Sequence, residues 1–125
     1  FADSYYGYDD ALYAALRLLS IAEQGNFQSR LDAVPETCLS PEIKFPCPDS
    51  TKFAKMERAK ELLRRDGIAF DDTDGVKVFK PSGAWWLLRA SNTVPALLGA
   101  CEADSADELA DLKSELTAFA KRLEE

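Results

Sequence analysis

The sequence predicts an α+β fold for the larger, C-terminal part of the chain. Two strongly periodic helical segments enclose three short apolar runs, and a short extended run precedes the first of these helices. The expected order is β-α-β-β-β-α, with two helices on one face of a four-stranded sheet, preceded by a separate helix. A chain of 125 residues with 46% apolar residues is long enough to bury one such core.

The first helix is predicted within residues 8–25. Asp9 and Asp10 carry negative charge where the helix dipole is positive, and Gly25 suits the end of the helix. An apolar stripe runs along one face and consists of Leu12, Leu16 and Leu19. The pattern therefore indicates an amphipathic helix that needs a partner.

A change of pattern separates this helix from the rest. Residues 26–41 show no sustained periodicity and include Pro35 and Pro41, which favours an irregular connection rather than a helix or a strand. The pattern therefore predicts a linker at residues 34–40 that separates residues 1–33 from a domain formed by residues 41–125.

The C-terminal domain is predicted to begin with a strand in residues 41–48 and a helix in 49–67. Asp49 or Ser50 would cap this helix and Gly67 would end it. Its expected apolar side consists of Phe53, Met56 and Leu63. The helix would thus cover part of the sheet.

Three further strands and a final helix complete the predicted order. The strands are expected in residues 74–80, 84–90 and 96–103, since the first alternates and the second is apolar on both faces. Ser105 and Glu108 form a capping box at the start of the last helix. Its apolar stripe consists of Leu109, Leu112, Leu116, Phe119 and Leu123.

Charge and hydropathy exclude two classes of partner. The net charge is −7 and no basic run occurs, which argues against nucleic acid and polyanionic membrane surfaces. No apolar run approaches the roughly 20 residues of a membrane span, and no signal peptide is visible. We therefore expect no nucleic-acid or membrane partner, and a cytoplasmic location.

Cysteine and histidine content restrict the possible chemistry. Cys38, Cys47 and Cys101 are odd in number and widely spaced, which indicates reduced structural thiols. The chain has no histidine, so a Ser-His-Asp triad or a Cys-His pair within it is excluded. Any site must use carboxylates, lysine, arginine, hydroxyls or backbone groups.

The segment WWLLRASNTVP, residues 85–95, is the strongest candidate site. Arg89 can offer a planar fork to two phosphate oxygens, and the residues after it supply further donors. These are the hydroxyls of Ser91 and Thr93, the amide of Asn92, and backbone N–H groups in the turn. The alternative, which residue chemistry alone favours, is a hairpin turn with Arg89 paired to a surface carboxylate.

Two other segments carry weaker signals. DDTDG, residues 71–75, resembles part of a calcium loop but lacks its ligand spacing and closing glutamate, so a tight turn is predicted. Trp85 and Trp86 are predicted to serve in the core and in domain contacts rather than as a sugar-stacking platform.

WWLLRASNTVP resembles the C-terminal phosphate-binding loop of the α-D-phosphohexomutase superfamily. The segments YYGYDDALYAALRLL, SPEIKFPCPD, DGVKV and CEADSADEL follow that family's order and extend the resemblance over nearly the whole chain. Asn92 is the informative residue, because the Ser-Asn-Thr form is similar to the bacterial phosphomannomutase/phosphoglucomutase group. Two departures are Trp86 in place of a usual glycine and Ala100 where relatives often have arginine.

This resemblance implies a four-domain enzyme that interconverts hexose 1-phosphates and 6-phosphates of mannose or glucose. A phosphoserine and a bisphosphate intermediate carry the phosphoryl group with Mg²⁺, and the last domain grips the phosphate that is not transferred. Arg89, Ser91, Asn92 and Thr93 match that grip by position. The resemblance also implies that residues 1–33 are the C-terminal helix of the preceding, third domain and that residues 41–125 are the fourth, phosphate-binding domain. The family's phosphoserine, metal and sugar-reading loops have no match, which implies that this region binds no metal and is inactive without the other domains.

The first residue is Phe1, which we interpret as a cut through a longer protein. The expected partners are then a hexose phosphate and the remaining domains of the same polypeptide. The alternatives are an independent, non-catalytic domain that binds an anion with the same loop, and an interaction domain in which the loop is only a turn.

Overall fold

The chain divides at Pro35 into two units. The computed structural model describes residues 1 and 4–124. The first unit spans Phe1–Pro35 and the second Glu36–Glu125. Each unit has its own secondary structure and is described by itself.

The first unit contains the predicted amphipathic helix, α1, at Ala11–Ala22. Asp10 caps it, since its Oδ1 accepts a 2.8 Å hydrogen bond from the Tyr13 backbone N–H and its Oδ2 accepts one of 3.1 Å from the Tyr5 hydroxyl. Both hydrogen bonds lower the pKa of Asp10, and the bond from the Tyr13 N–H has the larger effect. Leu12, Leu16 and Leu19 are all more than half exposed.

A second, short helix follows that the sequence analysis did not predict. This helix, α2, spans Phe27–Asp32. Local polar bonds hold it: Gln28 Nε2 donates to Asp32 Oδ1 at 2.8 Å, and Arg30 Nε donates to Asn26 Oδ1 at 3.0 Å. Such bonds stabilise a turn or two of helix without an apolar stripe, so periodicity did not reveal it.

The second unit has the predicted α+β order around an antiparallel sheet. Its sheet has five strands rather than four, in the order β1-β5-β4-β3 with β2 also paired to β5. The strands are β1 Cys38–Leu39, β2 Ile43–Pro46, β3 Val76–Phe79, β4 Trp85–Ala90 and β5 Ala96–Ala103.

The additional strand arises because one edge of the sheet is split in two. β1 pairs with the end of β5 and β2 with its beginning, so both lie along the same side of that strand. Ser40 lies between them, donating its N–H to the Cys101 carbonyl at 2.9 Å and accepting the Cys101 N–H on Oγ at 3.0 Å. The second half of the segment assigned to a linker, 34–40, is therefore attached to the sheet.

Both helices of the second unit pack on the same face of the sheet. They are α3, Asp49–Arg65, and α4, Ala106–Arg122. Side chains at alternate strand positions meet them in one buried cluster that includes Val76, Trp86, Leu88, Cys101, Met56, Leu63, Leu116 and Phe119. A Cβ on Gly99 would lie 2.7 Å from Leu116 Cδ2, so the glycine allows α4 to approach β5 closely.

Helix α3 differs in detail from its prediction. Its N-cap is Pro48, with Asp49 in the first turn bound to the Lys52 ammonium at 2.6 Å. Phe53 is 60% exposed, whereas Lys52 is buried on the core side. Met56 and Leu63 are buried as predicted, and Lys52, Ala59 and Leu62 complete the buried face in place of Phe53.

Helix α4 has its predicted N-cap and apolar stripe, but only half of its predicted capping box. Ser105 Oγ accepts the Glu108 backbone N–H at 3.2 Å, and Leu112, Leu116, Phe119 and Leu123 are buried. The Glu108 carboxylate does not complete the capping box, because its Oε1 accepts a hydrogen bond from the Ser82 hydroxyl in the β3–β4 turn. The carboxylate thus ties the start of α4 to the hairpin.

We expect Ser105→Ala to destabilise the second unit by about 1 kcal/mol, because it leaves an N-terminal N–H of α4 without its side-chain acceptor. Urea unfolding followed by tryptophan fluorescence measures this, since both tryptophans, Trp85 and Trp86, lie in that unit. Ser114→Ala, within the same helix, is the matched control and should cause no loss. Equal losses in the two variants would contradict the capping role.

Candidate functional site

The RASNT segment forms the end of β4 and a tight connection to β5. The Ser91 backbone N–H donates to the Ala96 carbonyl at 3.0 Å, which closes the connection at its base. On the other side the Cys47 N–H donates to the Pro95 carbonyl at 3.0 Å, which joins the loop to the start of α3. The loop is therefore anchored at both ends.

Ser91 lies inside this loop rather than on its surface. Its side chain is 1% exposed, and its Oγ accepts hydrogen bonds from the backbone N–H groups of Thr93 at 3.3 Å and Val94 at 3.2 Å. Both distances exceed the usual 2.9–3.0 Å of an N–H···O bond, so these bonds are weak. The two N–H groups converge on one oxygen, as they would on an anion.

Asn92 and Thr93 form the exposed tip of the loop. Among the described residues no non-glycine residue has a positive φ, so Asn92 does not adopt the left-handed conformation that asparagine tolerates better than most residues. The amide of Asn92 and the hydroxyl of Thr93 are accessible donors at the end of a rigid strand.

Arg89 lies on the face of the sheet opposite the helices. Its cross-strand neighbour is Leu98, and the side chain is 33% exposed. The Arg89 Nε lies 3.8 Å from Asp74 Oδ2. The surface carboxylate that the hairpin-turn alternative requires is therefore present, and it approaches one edge of the guanidinium.

The Asp71–Gly75 segment is the tight turn that the sequence predicts. Asp71 Oδ1 accepts the Thr73 N–H at 2.7 Å, and Asp71 and Lys77 exchange two backbone hydrogen bonds of 2.9 Å. The bond from Thr73 is the main cause of the lowered pKa of Asp71. Gly75 has a φ of +84°.

A cavity of about 400 Å³ lies beside the loop, between α3 and the turn. Phe53, Met56 and Ala90 supply apolar walls, and its polar lining includes Asn92, Asp74, Glu57 and Lys60. Lys60 Nζ donates to Glu57 Oε1 at 2.9 Å, so the cation is neutralised within the lining. The cavity gives open space next to the tip of the loop.

The environments of the cysteines and of Trp86 indicate structural roles. All three cysteines are free, and burial raises the pKa of the Cys101 thiol to about 11, which keeps it protonated at neutral pH. Trp86 is 1% exposed, and its Nε1 donates to Glu115 Oε1 at 2.9 Å. The tryptophan that departs from the family pattern therefore belongs to the core.

The structure thus places the four sequence-predicted residues, Arg89, Ser91, Asn92 and Thr93, in one short segment at a sheet end. Arg89, Asn92 and Thr93 reach the surface, whereas Ser91 is internal. Sequence reasoning missed Asp74 as a neighbour of Arg89. The available signal was the pairing of DGVKV with WWLLR, which brings the turn next to the arginine.

Within residues 1 and 4–124, none of the helices combines the length and the apolar character that a membrane crossing requires.

Comparison with known proteins identifies relatives of the second unit and of the whole chain. The family model described as phosphoglucomutase/phosphomannomutase, C-terminal domain, matches residues 42–119. A phosphomannomutase/phosphoglucomutase of Pseudomonas aeruginosa is 36% identical over 116 residues, which cover 91% of this chain and 25% of that protein. A phosphoglucomutase of Neisseria gonorrhoeae is 32% identical over 116 residues, covering 84% of this chain and 23% of that protein.

A solved structure agrees with these matches. The crystal structure of a phosphoglucomutase/phosphomannomutase family protein from Burkholderia thailandensis superposes with a TM-score of 0.75 at 27% identity, covering 99% of this chain and 26% of that one. The chain spans about a quarter of the length of the relatives that it matches.

Proposed function

Because the chain belongs to the phosphoglucomutase/phosphomannomutase family, whose members are isomerases, we propose that it grips the phosphate that a full-length mutase does not transfer. The substrate would be a hexose phosphate of mannose or glucose, and the enzyme would interconvert its 1-phosphate and 6-phosphate. Arg89, Ser91, Asn92 and Thr93 would form the grip, and the location would be cytoplasmic.

The observation that carries this proposal is the convergence of donors at the end of β4. The Arg89 guanidinium, the exposed donors of Asn92 and Thr93, and the backbone N–H groups of Thr93 and Val94 lie within six consecutive residues. Phosphate oxygens are better acceptors than the neutral Ser91 hydroxyl that now receives those N–H bonds. Ser91 would keep the loop closed through the bond of its backbone N–H to the Ala96 carbonyl, and its hydroxyl would donate a hydrogen bond to a phosphate oxygen.

A grip on a remote phosphate serves catalysis by positioning. The binding energy of a group that does not react can orient the sugar for transfer at its other end. The phosphoserine that donates and regains the phosphoryl group, passing through a bisphosphate intermediate, would lie in the other domains. We therefore propose that this chain by itself is inactive.

The magnesium ion of the family would also lie in those domains. In the part of the chain that the structure describes, no three aspartate, glutamate or cysteine side chains are grouped so that they could hold a metal ion. Asp71 is bound to the Thr73 N–H and Asp74 faces Arg89, so the acidic turn does not fit the ion. No step proposed for this chain passes through magnesium.

An amide NMR titration of this chain with glucose 1-phosphate, and with glucose as the control ligand, tests the proposal. We expect the amide chemical shifts of Arg89 through Thr93 to change with glucose 1-phosphate and not with glucose, because the grip recognises the phosphate group. Because the other domains supply most of the contacts, this chain should bind glucose 1-phosphate with a dissociation constant in the millimolar range or weaker. This corresponds to a binding free energy of about −4 kcal/mol.

The coding sequence upstream of Phe1 separates the proposal from its alternative. Mutase domains encoded there would support the proposal, whereas an independent anion-binding domain would lack them. Equal shifts with glucose and glucose 1-phosphate, or shifts that spare the loop, would contradict a phosphate grip at these residues.

A further inference from the structure

We propose that Asp74 is a positioning residue of the phosphate grip: its carboxylate holds the Nε edge of Arg89 and directs the terminal edge of the guanidinium toward the phosphate. This inference rests on the proposed function, because it concerns the same loop. It adds a residue from a different strand connection, outside the RASNT segment.

The backbone brings the two residues together. Val76 pairs with Leu88 in the β3–β4 register, so the turn that contains Asp74 lies beside the end of β4 that carries Arg89. A Cβ on Gly75 would lie 2.7 Å from Arg89 Cβ and 2.8 Å from Arg89 Cα. Only a glycine allows this approach, and it places the neighbouring Asp74 carboxylate within 3.8 Å of the Arg89 Nε.

The turn that carries Asp74 is held in place from its other end. Asp71 and Lys77 exchange two backbone hydrogen bonds, and the Asp71 carboxylate accepts the Thr73 N–H. Lys77 Nζ in turn lies 3.8 Å from the centre of the Trp85 ring, on the same face as Arg89. The carboxylate is thus presented to the guanidinium by a fixed frame.

Charge and geometry explain what this contact would do. Asp74 is 70% exposed, so the ion pair adds little stability by itself. A guanidinium has two edges that can each bind a pair of oxygens, and a carboxylate at the Nε edge leaves the terminal edge for phosphate. Limiting the rotation of a long side chain before binding lowers the entropy cost of the grip.

A double-mutant cycle in the full-length enzyme tests this proposal. We expect Asp74→Ala to lower kcat/KM for glucose 1-phosphate about fivefold, mainly through a higher KM. In an Arg89→Ala background the same replacement should change kcat/KM by less than about twofold, because Asp74 would act through the missing guanidinium. Asp74→Glu, which keeps the carboxylate, should restore most of the loss.

Asp72→Ala is the matched control, since it removes the same charge from an exposed position of the same turn. Circular dichroism of each variant separates misfolding from a local effect, and Asp74→Asn replaces Asp74→Ala if the latter does not fold. A lower KM in Asp74→Ala would show that the carboxylate only repels phosphate. An equal loss of kcat/KM in the wild-type and Arg89→Ala backgrounds would show that Asp74 does not act through Arg89. Either result overturns the proposal. Unchanged kinetics in Arg89→Ala would instead refute the proposed function itself.

Discussion

Replacing Arg89 with alanine in the full-length mutase is expected to lower kcat/KM for glucose 1-phosphate by about 100-fold to 1,000-fold. This factor corresponds to about 3–4 kcal/mol, the contribution of two charge-assisted hydrogen bonds from one guanidinium fork to a phosphate. Steady-state kinetics of the purified enzyme measure it.

Both kinetic constants should change. A contact to the remote phosphate that only bound substrate would raise KM and leave kcat intact, whereas a contact that also orients the sugar lowers kcat. We expect the orienting effect, because the loop is anchored to β5 and to the start of α3 and would hold the proposed phosphate group in a fixed position. Arg89→Lys should keep the charge but lose the fork, and recover only part of the activity.

Lys44→Ala provides the matched control. Lys44 and Arg89 are cross-strand neighbours of Leu98 on its two sides, so both cations lie on the open face of the sheet. The control removes the same charge from that face without touching the loop and should leave kcat/KM unchanged. If both variants lost activity equally, the general charge of the face, rather than a grip by Arg89, would explain the effect.

The elements that the sequence predicts well are those determined by neighbours in sequence. Helix α4 carries its cap at Ser105 and its apolar stripe within a single segment, so local pattern is sufficient. The strand β4 and the candidate loop were found in the same way, because the change from an apolar run to Arg-Ala-Ser-Asn-Thr occurs within one short stretch.

Apart from the short helix α2, which local polar bonds hold, most features that the sequence did not predict depend on partners far along the chain. The strand Cys38–Leu39 has two residues and exists because β5 extends far enough to pair with it. No periodicity can be read in two residues. The burial of Lys52 in place of Phe53 depends on how α3 is rotated against the sheet, which Ala59 and Leu62 decide later in the helix.

The position of Ser91 shows the same limit within the site. Its side-chain chemistry predicts a donor for phosphate, but its burial follows from the bond of its backbone N–H to Ala96 and from the two N–H groups that turn toward its oxygen. Residue type indicated which groups are available. The fold decided which of them face inward.

The Asp74–Arg89 contact is a further case. Neither residue type nor spacing within a segment reveals it, since the contact requires the β3–β4 register and the close approach that Gly75 permits. Gly75 therefore connects the stability of the sheet to the geometry of the candidate site.

Gly75→Ala is expected to destabilise the second unit by about 3 kcal/mol or more. A non-glycine residue at a φ of +84° is strained by about 1–3 kcal/mol. The added Cβ would also lie 2.3 Å from the Leu88 carbonyl oxygen, and relief of that overlap requires β3 to move away from β4. Urea unfolding followed by the fluorescence of Trp85 and Trp86 measures the loss.

Gly67→Ala separates the overlap from the strain. Gly67 also has a left-handed φ, of +69°, but no atom lies within 4 Å of the position where its Cβ would be. We expect that variant to lose only about 1–2 kcal/mol, the cost of the backbone conformation alone. Equal losses of unfolding free energy in the two variants would mean that the turn before β3 can shift away from β4 at no energetic cost. Such a turn would be too flexible to keep Asp74 next to Arg89.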